Sequence, residues 1–280
     1  MEPFQAVLLG IIQGLTEFLP VSSSGHLVIC QHLLGLKEPE LFFDISVHMG
    51  TLAAVIFFFR RELRSIIISL AKFFVLLLKN KASLASINED SDLKMAFLIV
   101  IGSIPTALLG LLFYKVAEQL FSSIFIVGTM LIITGSFLWC TRMVKKDGKN
   151  IDRFSTRDAL VIGLTQGMAI IPGISRSGST ISMGLFLGLN RKTAAGYSFL
   201  LSIPAVLGAG ILSLKDFLSD PSVLSFKMAL LGSLTACIVG YFALALLIYL
   251  IKHGRLYIFA PYCWLFGIIS LIVQTIRWWQ

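Results

Sequence analysis

Residues 13 to 26 read Gln13-Gly-Leu-Thr-Glu17-Phe-Leu-Pro20-Val-Ser22-Ser-Ser-Gly-His26, and they interrupt an otherwise apolar segment. This short stretch carries an amide, a carboxylate, three consecutive hydroxyls and an imidazole. Polar and ionisable groups at membrane depth are costly, and they usually face a cavity or a partner. The stretch therefore predicts a polar site that is enclosed by apolar helices.

A second copy of this pattern lies later in the chain. Gly10-x-x-Gln13-Gly14 corresponds to Gly163-x-x-Gln166-Gly167, and Val21-Ser-x-Ser-Gly25 corresponds to Ile174-Ser-x-Ser-Gly178. In the second copy Arg176 replaces Ser23, and Ser179 replaces His26. We interpret the chain as a duplication in which one copy supplies an acid and an imidazole while the other supplies a cation.

The composition places the chain among membrane-embedded proteins. Of its 280 residues, 56% are hydrophobic and only 14% are charged, and the mean hydropathy is +0.88, values typical of that class. The net charge of +8 is not gathered in a separate basic domain, so a nucleic-acid partner is not expected. The four cysteines lie singly, without the paired spacing of a zinc site.

Two segments are apolar but broken. Pro20 and residues 22–25 divide residues 3–35 into pieces that are shorter than the ~20 residues of a membrane span. This favours a re-entrant pair of half-helices over one kinked span, because irregular backbone at membrane depth needs protein or water to satisfy it. A second broken segment covers about 158–190. Long apolar runs predict six full spans, at about 42–59, 95–114, 121–141, 194–214, 228–251 and 257–276.

The basic residues predict the orientation. With the broken segments counted as not crossing, seventeen of the 23 Lys and Arg residues fall on one side, which the positive-inside rule places in the cytoplasm. The stretch from Arg60 to Lys81 reads as an interfacial amphipathic helix or a cytoplasmic extension. Arg176 belongs to the second broken segment, and the five basic residues on the other side are Lys37, Lys115, Lys215, Lys227 and Arg277.

Three predicted spans separate the two copies, so the second copy enters from the opposite face. We therefore predict an all-α integral membrane protein with six transmembrane helices and two re-entrant half-helix pairs in an inverted-topology repeat. It forms a single membrane domain over 1–280, with one repeat at about 1–145 and the other at about 155–280. Such repeats are familiar from transporters, which keeps the transport of a lipid phosphate or a small anion as an alternative.

Hydroxyls, glycines and one guanidinium lie where the half-helices meet. Hydroxyls, free backbone N–H groups and a helix N-terminus together favour an anion, usually phosphate, and Arg176 adds donors that suit phosphate oxygens. Back-bonding to their own helix is the alternative for the serines, and helix packing is the alternative for the Gly10, Gly14, Gly163 and Gly167 pattern. The predicted phosphate ligands are Ser22, Ser24, Gly25, Ser175, Arg176, Ser177, Gly178, Ser179 and Thr180.

The first copy supplies candidates for acid–base chemistry. Glu17 lies one helical turn after Gln13, so both can face one site, where they would hold a divalent cation or position a water. Glu17 could also serve as a general base, and a structural ion pair with Arg176 is the alternative. His26 could activate a hydroxyl or a water, attack phosphorus, or protonate a leaving group. Asp44 and His48 share one side of the first full span and could reach the site from behind.

These motifs resemble those of the undecaprenyl-diphosphate phosphatase family of bacteria, the bacitracin-resistance type. The resemblance covers essentially the whole chain and includes Pro172-Gly-x-Ser175-Arg176-Ser-Gly178. It implies a multi-pass enzyme of the bacterial cytoplasmic (inner) membrane that removes the terminal phosphate of undecaprenyl diphosphate, a polyprenyl diphosphate lipid. The product is the lipid carrier for peptidoglycan and other envelope polymers. The resemblance also implies an active site that opens toward the outer (periplasmic) face and a requirement for magnesium or calcium.

The resemblance further implies roles for individual residues. Glu17, His26 and Arg176 would be catalytic or phosphate-binding, with Ser23 and Ser175 supporting them. Gln13 is the neutral variant of the first Glu/Gln position of the motif, so a mechanism with two carboxylates there is not expected. The sequence leaves Ser23, His26 and water as alternative nucleophiles. It also leaves the oligomeric state open, with a homodimer as one alternative, and the membrane lipids are the remaining partner.

Overall fold

The structure, a computed structural model, describes residues 1–36, 41–79, 84–114, 123–144, 148–219 and 226–278. Of the basic residues used to predict the orientation, Lys37, Lys81, Lys115, Lys145 and Lys146 lie outside the described residues. The regular elements are α-helices joined by short turns: α1 (Pro3–Phe18), α2 (Ser23–Leu33), α3 (Leu41–Phe58), α4 (Arg60–Leu78), α5 (Leu84–Glu89), α6 (Ser91–Tyr114), α7 (Ile124–Cys140), α8 (Thr156–Met168), α9 (Arg176–Phe186), α10 (Arg191–Ser219), α11 (Phe226–Lys252) and α12 (Ala260–Trp278).

The described residues contain five helical segments that are long and apolar enough to cross a membrane. α3 and α4 pass the same test only as a pair, and they meet at a bend of 75°, so they add a sixth span if the bent pair is counted as one. Of the two alternatives for the stretch that begins at Arg60, an interfacial helix or a cytoplasmic extension, the structure has a helix, α4. The prediction of an all-helical membrane protein is confirmed, with five or six spans among the described residues. The five segments are Ser91–Phe113, Ile124–Met143, Arg191–Leu212, Phe226–Lys252 and Leu256–Thr275.

Both predicted breaks are present. The first separates α1 from α2, where Pro20 is followed by Ser22 with a φ of 69°. The second separates α8 from α9, where Pro172 is followed by Gly173 with a φ of 94°. Proline removes a helical hydrogen bond, and a positive φ cannot continue a right-handed helix. The flanking helices have at most 16 residues, so each is shorter than the ~20 residues of a full span.

The two breaks are held by equivalent contacts from two different spans. The carbonyl oxygen of Pro20 accepts a hydrogen bond from Cys263 Sγ of α12, at 3.3 Å. Gly173, which occupies the same place in the second copy, accepts one from Thr134 Oγ1 of α7, at 3.1 Å. Each break is therefore braced by the last span of one half of the chain.

The hydroxyls that follow each break are paired in the same way. Ser22 Oγ and Ser24 Oγ lie 3.4 Å apart, and their counterparts Ser175 Oγ and Ser177 Oγ lie 3.3 Å apart. The duplicated sequence thus keeps a duplicated local structure. The bounds of the two repeats stay a prediction.

The two halves of the chain interlock through their half-helices. α1 packs along α11, and α8 packs along α6. The first approach is so close that a Cβ atom on Gly10 would lie 2.6 Å from the carbonyl oxygen of Gly232. A Cβ on Gly163 would overlap the carbonyl oxygen of Gly102 in the same manner. These contacts favour helix packing as the role of the paired glycines.

Gly10→Ala should therefore destabilise the protein by about 1–3 kcal/mol, the usual cost of forcing a methyl group into a packed interface. Thermal unfolding in detergent, followed by circular dichroism, would show this as a lower midpoint. Gly196→Ala is the matched control, because a Cβ at that position in α10 meets nothing within 4 Å. Alanine also favours a helix over glycine, so the control should unfold at or above the wild-type midpoint. Equal midpoints for the two variants would contradict the packing argument.

Candidate active site

An ion pair joins the two breaks. Arg176, the first residue of α9, donates through Nη2 to Oε1 of Glu17, which lies at the end of α1. Both side chains are shielded, with 9% of Glu17 and 18% of Arg176 exposed. A charge in such surroundings needs a partner, because removing it from water is costly. The structure thus brings the acid of the first copy onto the cation of the second.

The other carboxylate oxygen of Glu17 has three polar neighbours. Oε2 accepts hydrogen bonds from Ser23 Oγ at 2.7 Å and from Gln13 Nε2 at 3.1 Å. His48 Nε2 lies 3.8 Å from the same oxygen. The hydroxyl of Ser23 therefore donates a hydrogen bond to a carboxylate, which is the arrangement that activates a hydroxyl as a nucleophile.

Two buried polar atoms next to Glu17 have no hydrogen-bond partner among the described residues. They are Oε1 of Gln13 and Nη1 of Arg176. A buried donor without an acceptor costs about 1–3 kcal/mol, so its position indicates a ligand. Nη1 can donate to an anionic oxygen while Nη2 stays on Glu17. Arg176 also borders a narrow crevice that is lined by Glu17, Phe18, Thr51, Leu52, Val55, Ser202 and Val206.

Hydrogen bonds between the two breaks fix their relative position. Ser177 Oγ donates to the carbonyl oxygen of Phe18 at 2.9 Å, and the amide of Gly173 donates to Ser22 Oγ at 3.2 Å. Among the described residues, Ser22 is the one non-glycine residue with a positive φ. Such a backbone costs on the order of 1–3 kcal/mol and is typical of functional sites. The strained turn aims the Ser22 side chain at the second copy.

His26 has both ring nitrogens engaged by protein groups. Nδ1 lies 2.8 Å from the carbonyl oxygen of Ser22, and Nε2 lies 2.6 Å from the hydroxyl of Tyr262 on α12. The ring also stacks on Phe266, with centroids 4.7 Å apart. No hydrogen bond or ion pair joins His26 to Glu17 or Arg176 in the described part of the chain. His26 is therefore not a member of the hydrogen-bonded cluster around Glu17.

The hydroxyls that follow the second break form hydrogen bonds with backbone groups of the protein. Ser175 Oγ accepts from the Gly178 amide and so caps α9, while Ser179 Oγ and Thr180 Oγ1 donate to the carbonyl oxygen of Arg176, at 3.2 and 2.7 Å. This is the back-bonding alternative for these residues. In the structure these hydroxyls hold the first turn of α9 in place, and their predicted contacts with phosphate stay a prediction.

Gly178, another predicted phosphate ligand, packs against Pro20, since a Cβ there would lie 2.9 Å from the proline ring.

Residues 6–269, nearly the whole chain and both broken segments, match the family model described as Bacitracin resistance protein BacA. The chain belongs to the bacitracin resistance protein family. It is 53% identical to the undecaprenyl-diphosphatase of Desulfosudis oleivorans, over 97% of this chain and 98% of the relative. It is 51% identical to that of Desulforapulum autotrophicum, over 97% and 98%, and 40% identical to that of Methanosphaera stadtmanae, over 99% of both chains.

The spacing of Gln13 and Glu17 predicted that they hold a divalent cation or position a water, and the family resemblance implied magnesium or calcium. The geometry of the two side chains fits a cation poorly. Arg176 already occupies Oε1 of Glu17, and Ser23 and Gln13 donate to Oε2. The described residues contain no group of three His, Cys, Asp or Glu side chains that could hold a metal ion. Oε1 of Gln13 is one suitable oxygen, and calcium or magnesium needs about six ligands. These residues do not form a cation site by themselves.

The structure shows the contacts of two residues that the sequence analysis named, His48 and Asp44, and of one that it did not, Tyr262. His48 reaches Glu17, as its side of α3 suggested. Asp44 accepts a hydrogen bond from Gln31 Nε2 at 2.6 Å, which links α3 to α2. Tyr262, the partner of His26, was missed. A tyrosine near the end of an apolar span is usually an interfacial anchor, so the sequence holds no signal that distinguishes it.

Proposed function

We propose that this protein hydrolyses undecaprenyl diphosphate to undecaprenyl phosphate and inorganic phosphate, and that it thereby contributes to bacitracin resistance. The observation that carries the proposal is Nη1 of Arg176, a buried donor that has no acceptor in the part of the chain that the structure describes and that lies beside the Glu17 and Ser23 pair. The near full-length relatives are named undecaprenyl-diphosphatase, and their substrate agrees with an anion-binding donor inside a membrane protein.

Ser23 is the group that we propose as the nucleophile. Its oxygen would attack the terminal phosphorus and pass its proton to Glu17, while the bond from that phosphorus to the bridging oxygen breaks and undecaprenyl phosphate leaves. Water would then cleave the phosphoserine and release inorganic phosphate. His26 is less suited to attack, since its Nε2 lone pair is taken by Tyr262. Trapping of phosphoserine at Ser23 would support this order, and its absence under single-turnover conditions would favour water.

Arg176 would act on the charge that develops during this transfer. The guanidinium presents one nitrogen to Glu17 and the other to the terminal phosphoryl group, so it can hold both reacting partners in register. The pair also keeps the pocket neutral before the substrate arrives. A divalent cation, magnesium or calcium, is proposed to arrive with the diphosphate, whose oxygens would supply the ligands that the chain lacks.

We further propose that this multi-pass membrane protein lies in the bacterial cytoplasmic membrane with its active site open to the outer face. The excess of basic residues on one side of the predicted spans supports the placement of that side in the cytoplasm, and the outward opening of the site is what the family resemblance implies. The competing function is a transporter or flippase for a lipid phosphate, which the duplicated architecture favours. Transport needs two compartments and leaves the phosphoanhydride intact, so the two functions differ in a measurable product.

Purified protein in detergent should release inorganic phosphate from undecaprenyl diphosphate, and an inactive Arg176→Ala preparation provides the background. Right-side-out spheroplasts should hydrolyse a short-chain polyprenyl diphosphate added outside without permeabilisation, which tests the orientation. Absence of phosphate release from folded protein would exclude the hydrolase. Release from spheroplasts only after permeabilisation would place the active site on the cytoplasmic face.

A further inference from the structure

Tyr262 and His26 form a hydrogen bond between two parts of the chain that the sequence keeps far apart. His26 lies on α2, just after the first break, and Tyr262 lies on α12 in the second half. The distance between Nε2 and the phenol oxygen is 2.6 Å. The same α12 turn carries Cys263, which donates to the carbonyl oxygen of Pro20. The last span thus makes two contacts at the first break. Cys263 binds the backbone of Pro20, and Tyr262 binds the side chain of His26 just after the break.

The contacts of His26 determine which ring nitrogen carries the hydrogen. A carbonyl oxygen can only accept, so the Nδ1 atom facing Ser22 must be the N–H donor. In the neutral ring Nε2 then holds the lone pair, and the Tyr262 hydroxyl donates to it. The tautomer of His26 is therefore set from both ends, by a backbone carbonyl and by a phenol.

The aromatic residues of α12 also fix the plane of the imidazole. Phe266 lies parallel to His26, with centroids 4.7 Å apart and planes 11° apart. Tyr262 is parallel to Phe266 as well, at 6.0 Å and 6°. His26 is buried, with 9% of its surface exposed, whereas 44% of Tyr262 is exposed. The phenol is therefore the outer member of the pair, and it stands between the basic nitrogen and the surroundings.

We propose that Tyr262 is a positioning residue for the hydrolysis. Its hydroxyl holds His26 in the Nδ1–H tautomer with its ring plane fixed, and it keeps the Nε2 lone pair hydrogen-bonded until Nε2 accepts the proton of the water that cleaves the phosphoserine. Tyr262 acts through His26 and does not touch the reacting phosphorus. This inference rests on the proposed function for its kinetic consequence, while its structural part concerns the tautomer of His26 alone.

Tyr262→Phe tests the proposal, because it removes the hydroxyl and keeps the stacked ring. We expect kcat for phosphate release to fall about ten-fold, which corresponds to the loss of one well-placed hydrogen bond, with KM within about two-fold of the wild type. In a His26→Ala background the same change should have no further effect on kcat, since the two residues act as a unit. A multiplicative loss in the double variant would overturn the proposal.

Cys263→Ala is the matched control, since it removes the neighbouring contact from the same turn of α12 to the same break. If Tyr262 only ties α12 to α2, Cys263→Ala should reproduce the loss of kcat, and that result would overturn the proposal. We expect instead that Cys263→Ala keeps kcat within about two-fold. Thermal unfolding of both variants shows whether the two contacts contribute comparably to stability.

Nitrogen NMR of protein labelled with ¹⁵N-histidine gives a reading that does not depend on activity. The chain has four histidines, and the His26→Ala variant assigns the signals of residue 26. Wild-type protein should show a single Nδ1–H tautomer at that position, and Tyr262→Phe should shift Nε2 and mix the tautomers. An unchanged His26 spectrum in the variant would overturn the proposal. If wild-type protein released no phosphate, the proposed function would fail while this spectrum still decided the role of Tyr262.

Discussion

Arg176→Ala should lower kcat for phosphate release by about 10²–10³-fold, the usual cost of removing one donor that stabilises developing charge. KM should rise as well, because the guanidinium offers Nη1 to the phosphate before the reaction begins. Steady-state assays with undecaprenyl diphosphate would give both constants. Arg176→Lys should recover only part of the activity, since a single ammonium group cannot hold Glu17 and a phosphate with the fixed fork of arginine.

The control for this variant is Arg157→Ala, which removes an exposed arginine from α8 in the same half of the chain. It should leave kcat unchanged. Folding must be compared too, because loss of Arg176 leaves Glu17 charged and nearly buried. Breaking such a pair typically costs about 3–5 kcal/mol. Near-normal turnover by a folded Arg176→Ala variant would show that this side chain does not hold the phosphoryl group.

Glu17→Gln should reduce kcat by about 10²–10⁴-fold, the range expected for loss of a group that accepts a proton in the transition state. The amide can still accept a hydrogen bond from Ser23, but it cannot take the proton of the attacking hydroxyl. KM should not rise, since Arg176 loses its carboxylate partner and is left free for the anionic substrate. This split between kcat and KM distinguishes the role of Glu17 from that of Arg176. Glu62→Gln, on the exposed start of α4, is the control with the same chemical change.

A double variant separates stability from catalysis at this pair. The single substitutions Glu17→Gln and Arg176→Gln each leave one buried charge without its partner, whereas the two together remove both charges at once. Neutral replacements of a buried ion pair are often tolerated, so the double variant should unfold at a higher temperature than either single variant. It should stay inactive. A double variant as unstable as the sum of the singles would mean that the pair does not interact in the folded protein.

The meeting of Glu17 with Arg176 could be predicted from the sequence because it follows from membrane physics. Two broken segments with matching residues, separated by an odd number of spans, must enter from opposite faces. A carboxylate and a guanidinium inside apolar surroundings then pair, because an unpaired charge there is costly. The same costs explain why hydropathy located the long apolar helices to within a few residues. The angle of 75° between α3 and α4 depends on local packing, and composition does not contain it.

The directions of the small hydroxyls could not be predicted. Whether Ser179 faces a ligand or its own helix depends on the rotation of α9, and a serine satisfies its hydroxyl equally well either way. The partner of His26 was hidden for a different reason. Tyr262 lies 236 positions away, and nothing in the spacing of an apolar span marks which of its aromatic residues meets α2. The positive φ at Ser22 could not be predicted either, since glycine is the usual residue in the left-handed backbone conformation.

The pairing of α1 with α11 has a consequence for biosynthesis. α1 is translated long before residues 226–252, which provide the surface against which it packs. During that interval the half-helix that carries Glu17 has no final neighbour, and contacts of such long sequence separation form late. The packing of α1 against α11 is thus among the last contacts to form. A ribosome that stalls before α11 yields a chain that already carries Glu17 and Arg176 but lacks the helix that supports α1.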